Sequence, residues 1–145
     1  MFTWQQGKMR DLGSLGGETF YGKTAAINNH GQIVGQSDTS DRDAVHAFLW
    51  QKNKMIDLGT LGGKRSSAAK AINENGQIVG WSQRPPNGRS HGFIWDNGNM
   101  IDLGTLTGRP NSYADDINGS GQIVGRAAFR YGETWHAVLW TLKRG

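Results

Sequence analysis

Three histidines stand in register along the chain, His46, His91 and His136, each opening a short apolar run. Neutral imidazole is a good ligand for zinc or copper, but a site needs several to converge on one point. On propeller-like blades the three would lie far apart, and only a three-fold monomer could gather them, so the structural reading prevails: each ring nitrogen bonds a loop carbonyl, and no metal is assigned. Asp11, Asp57 and Asp102 are repeated too, each before Leu-Gly. A carboxylate there accepts backbone N–H bonds from the following turn, and a site made three times is unlike an active site. Asp115-Asp116 is an adjacent pair inside an expected strand, where alternation sends the two to opposite faces. A glycosidase needs its carboxyls about 5–9.5 Å apart across the bond it cuts, and no such couple is readable. Gly59-Thr60-Leu61-Gly62-Gly63 has the look of a phosphate loop but lacks the Gly-Lys-Ser/Thr ending and the helix behind it. With 0 Cys there is no thiolate nucleophile, thiolate metal site or disulfide. The expectation is a non-enzyme without cofactor.

The elements that hold these residues repeat. Gln32-Ile33-Val34-Gly35 returns as Gln77-Ile78-Val79-Gly80 and Gln122-Ile123-Val124-Gly125. Trp4, Trp50, Trp95 and Trp140 keep that register, as do Ile27-Asn28, Ile72-Asn73 and Ile117-Asn118, and Met9, Met55 and Met100. The period of about 45 residues lies in the range of propeller blades and of helical repeats. Helix is excluded by Gly or Asn every few residues and by alternation of period two, as in Val45-His46-Ala47-Phe48-Leu49-Trp50. Four strands per unit are expected; in the middle unit they run from about Ala68 to Asn73, Gln77 to Ser82, Ser90 to Trp95 and Asn99 to Leu103. Asn73-Glu74-Asn75-Gly76 supplies residues that tolerate positive φ for a tight hairpin, and Asp96-Asn97-Gly98 is a second strong hairpin signal.

The units resemble the bacterial HAF repeat, named for its His-Ala-Phe tripeptide. The matching residues are His46-Ala47-Phe48-Leu49-Trp50, Met55-Ile56-Asp57-Leu58-Gly59-Thr60-Leu61-Gly62-Gly63 and Ala71-Ile72-Asn73-Glu74-Asn75-Gly76-Gln77-Ile78-Val79-Gly80. Later copies read His91-Gly92-Phe93-Ile94-Trp95 and His136-Ala137-Val138-Leu139-Trp140, so the tripeptide is intact once. The resemblance covers nearly the whole chain. It implies propeller-like blades and an extracellular location, and it carries no activity or catalytic residue to transfer. No secretory signal is read in Met1 to Gln6.

The expected fold is therefore all-β, one repeat domain over residues 1–145. Its parts are a partial blade (1–12), repeats over 13–58 and 59–103, and a third over 104–145 lacking its last strand. Three blades leave two sheet faces open, while propellers use about four to eight. Two chains that exchange the N-terminal strand, Lys8 to Leu12, close a six-bladed homodimer, with Phe2 to Trp4 left as a weakly packed surplus. The alternative is a monomeric β-trefoil.

Connections that differ between copies all emerge on one side of such blades. They carry the candidate ligand-binding residues Arg65, Arg84, Arg89, Arg109, Tyr21, Tyr113, Tyr131 and Trp135, with Lys64, Arg130 and Phe20 beside them. Arginine and aromatic rings together suit a carbohydrate, a nucleotide or a protein surface. The net charge of +4 permits an anionic partner without demanding one. No apolar run approaches the ~20 residues of a membrane span. A purely structural, oligomer-forming unit is the alternative function, and a carbohydrate-active hydrolase a weaker one.

Overall fold

The computed structural model describes residues 2–18, 21–41, 44–63, 65–128 and 134–142. Among these residues the chain forms thirteen strands and no helix, hence none long and apolar enough to cross a membrane. A hairpin comes first, β1 (Phe2–Gln5) and β2 (Lys8–Asp11). Two four-stranded meanders follow: β3 (Lys23–Ile27), β4 (Ile33–Asp38), β5 (Val45–Gln51) and β6 (Lys54–Gly59), then β7 (Ser67–Ile72), β8 (Ile78–Arg84), β9 (Arg89–Asp96) and β10 (Asn99–Asp102). The last sheet has three strands, β11 (Asn111–Ile117), β12 (Gln122–Ala128) and β13 (Trp135–Thr141). All pairing within the sheets is antiparallel. The strands expected in the middle unit appear within one or two residues of their bounds. The described residues close neither a barrel nor a propeller ring, so they show neither the six-bladed ring nor the β-trefoil: each meander is a separate sheet.

Turn chemistry sets these boundaries. Asn97-Gly98 and Lys52-Asn53 are two-residue loops with both φ positive, the conformation that matches strand twist. The four-residue turns between first and second strands work otherwise than expected. Only their last residue, Gly31, Gly76 or Gly121, takes a positive φ. The asparagine at the head supplies side-chain bonds instead: Asn28 Oδ1 accepts the N–H groups of His30 and Gln32, at 3.0 and 3.1 Å. Asn73 and Asn118 repeat this on their own turns.

The glycine of each Gln-Ile-Val-Gly has a steric reason. A Cβ on Gly35, Gly80 or Gly125 would overlap the carbonyl oxygen of Lys23, Ala68 or Tyr113 on the neighbouring strand. The register there shifts by a bulge, between Thr24 and Ala26, Ala69 and Ala71, and Ala114 and Asp116.

Alternation gives each sheet two apolar faces, and the sheets pack face to face. Val34, Ala47, Leu49 and Leu58 of the first meander meet Ala69, Ile78 and Phe93 of the second. Val79 and Ile94, on the other face of the second, meet Ala114, Ile117 and Ile123 of the last sheet. Leu12, following β2, packs on Ile33 and Phe48. Trp50, Trp95 and Trp140 are half-buried beside these three clusters. Phe2 and Trp4, the expected weakly packed surplus, are 64% and 71% exposed, and Met9, in register with the core-packed Met55 and Met100, departs from its expected core position at 68% exposed. Strand β2 is paired to β1 along its whole length, Phe2 opposite Asp11 through Gln5 opposite Lys8.

Candidate functional site

The meander topology sends the connections after the second and fourth strands of a sheet to one side. There two of the nominated arginines meet. Arg89, opening β9, and residues Thr105 to Pro110, including Arg109, line one open cleft of about 510 Å³. Arg109 Nη2 also lies 3.2 Å from His136 Nε2. Guanidinium only donates, so the ring nitrogen is the acceptor in this contact.

The other candidates fall into separate places. Arg84 is engaged: its Nη1 donates to Asp102 Oδ2 at 2.8 Å. Arg65 Nη2 donates to the Pro86 carbonyl at 3.3 Å, tying one sheet-to-sheet connection to the Pro85-Pro86-Asn87-Gly88 loop. Tyr113 and Trp135 belong to strands and meet as tilted rings, with centroids 5.6 Å apart and planes at 60°. The Arg126 guanidinium lies 5.2 Å from the first ring and 4.6 Å from the second, and Trp81 meets the edge of Tyr113 at 6.1 Å. Arg126 and Trp81 were missed by the sequence reading, which looked only at connections; the pairing of Tyr113 with Arg126 lies beyond a bulge in β11 and carried no local signal. Tyr21 is exposed, and the residues lining the Arg89–Arg109 cleft do not include it. Tyr131, Lys64, Arg130 and Phe20 lie outside the described residues.

The repeated histidines and aspartates, read separately from the sequence, are two halves of one arrangement. His46 Nδ1 lies 2.9 Å from both carboxylate oxygens of Asp57, and His91 Nδ1 lies 2.9 and 3.1 Å from those of Asp102. Their partner is thus a carboxylate on the fourth strand rather than a loop carbonyl. The same carboxylates accept the N–H of Gly59 and Gly104, at 2.8 and 2.7 Å, as expected for the turn. Asp11 accepts from Gly13 at 2.9 Å, and that bond first of all holds its carboxyl below the ordinary value. Each pair sits in its own sheet, and the described residues gather no group of three or more His, Asp and Glu able to hold a metal ion. Asp115 lies 3.7 Å from Arg126 Nε, while Asp116 accepts the N–H of Ile117, so the adjacent carboxylates serve different partners.

Compared with known proteins, the chain matches no family model, no curated protein and no solved structure.

Proposed function

We propose that the chain is a non-enzymatic β-repeat module of HAF type. Its sheets serve as propeller-like blades, and its variable connections bind a ligand or partner. The observation that supports binding is the cleft between Arg89 and Arg109: two arginines, 20 positions apart in sequence, border one open cavity. Guanidinium forks there suit phosphate or carboxylate oxygens and sugar hydroxyls. A nucleotide or an acidic carbohydrate is the class the cleft fits. Glycan and nucleotide arrays run on wild type and on Arg89→Ala with Arg109→Ala test this. Binding present in wild type and at least about tenfold weaker in the double variant, a loss of ~1.4 kcal/mol, supports the site. Equal binding in both places it elsewhere, and binding in neither removes the ligand-binding reading.

A second reading, a structural unit that builds a six-bladed ring from two chains, is favoured by a different observation. Among the described residues β13 has no fourth strand beside it, whereas β5 and β9 carry β6 and β10. Exchange of β2 between chains supplies that strand. It requires β2 to part from β1, whose exposed Phe2 and Trp4 hold it loosely.

A further inference from the structure

The contact between successive sheets is built twice within the chain, from equivalent residues. Val34 and Leu49 are covered by the second meander, with Ile72 packed against them; Val79 and Ile94 are covered by the last sheet through Ile117 and Ile123. A polar rung accompanies each contact. Asn28 Nδ2 donates to the Asn73 carbonyl at 3.0 Å, and Asn73 Nδ2 to the Asn118 carbonyl at 3.0 Å.

The third copy of that face is present and uncovered. Val124 and Leu139 stand opposite each other on β12 and β13, as Val34 and Leu49 do on β4 and β5. They are 50% and 58% exposed, where their counterparts are buried. At the other end Ile27, the counterpart of Ile72 and Ile117, is 65% exposed. One end therefore offers the face and the other the residue that elsewhere packs on it. Arg126, also on this face, brings its own counter-ion in Asp115.

We propose that the Val124–Leu139 face is covered by the β3–β6 sheet of a second copy of this chain, set on it as the inner sheets are set on each other. The inference rests on the reading of the sheets as successive blades. Ile27 of the copy packs on Val124 and Leu139, and Asn118 Nδ2 donates to the copy's Asn28 carbonyl as the third rung. Seating β13 there displaces the copy's β1, and the copy's β2 becomes the fourth strand. The contact is head-to-tail, and it closes after two chains when each turns through half a circle, as three blades of a six-bladed ring do.

Light scattering of wild type, Leu139→Lys, Ile27→Lys and a 1:1 mixture of the two variants tests this. Wild type should weigh about twice 15.9 kDa. Each variant should be monomeric with its β circular dichroism intact, because both side chains are exposed in the single chain. The mixture should regain a two-chain species, since one of its two contacts carries neither lysine. A wild-type monomer at about 100 µM, a dimer indifferent to both lysines, or a dimer lost only in Leu139→Lys would each overturn the proposal. Val79→Lys separates this from the blade reading: its site is covered within the chain, so undiminished thermal stability would sink the blades themselves, whatever the wild-type mass.

Discussion

Asn73 does three jobs with one amide. Its Oδ1 orders its own turn, and its Nδ2 donates to Gln77 Oε1 at 2.8 Å and to the Asn118 carbonyl of the next sheet. Asparagine is required because aspartate keeps the acceptor and loses the donor. Asn73→Asp should therefore cost about 1–3 kcal/mol, the range for leaving buried partners unpaired. In Asn118 the amide donates, among the described residues, to Gln122 Oε1 alone and is exposed, so Asn118→Asp should cost well under half as much at high dilution. Urea midpoints of the two variants check this, and equal losses would show that the rung to the next sheet contributes nothing. The Asn-to-Gly spacing was legible in the sequence as a turn; its bond to the next unit was not, because nothing local says what stands beside a turn.

At the scale of the strand, the tightest constraint is the glycine of Gln-Ile-Val-Gly. Bulged first strands bring a carbonyl against it, leaving no room for a Cβ. Gly80→Ala should destabilise by about 1–3 kcal/mol, as overpacking does. Gly119, with open space around it and no positive φ, serves as the control: Gly119→Ala should change stability by no more than about 1 kcal/mol, and in the stabilising direction. Thermal melts decide it, and a tolerated Gly80→Ala would mean the bulge relaxes freely. Strand positions and hairpins were readable from alternation and from Asn-Gly, since both are local. The bulges were not, because their signal is a glycine on the partner strand.

For the whole molecule, the telling comparison is between equivalent positions in different settings. Phe93 and Phe2 occupy the same register, opposite Asp102 and Asp11. Phe93 is fully buried between two sheets, while Phe2 lies on the outer face of the hairpin. Phe93→Ala should cost about 3–5 kcal/mol, and Phe2→Ala no more than about 0.5 kcal/mol. Denaturant midpoints measure both, and comparable losses would show that the hairpin is held as firmly as the inner sheets. The repeat in the sequence marks these residues as alike, yet a side chain contributes by what covers it. A sheet with two apolar faces is stable only between neighbours.

By itself the sequence determined the all-β architecture, the four-strand unit and the turns, because pleat alternation and positive φ act over two to four residues. Only the tertiary structure decided that His91 serves Asp102, that Arg84 is bound to that same carboxylate, and that Arg89 shares a cleft with Arg109. Nor could identical motifs reveal that Val79 is buried and Val124 bare. Those facts depend on which strand and which sheet come to lie beside a residue, and that is set by long-range stacking rather than by its neighbours in the chain.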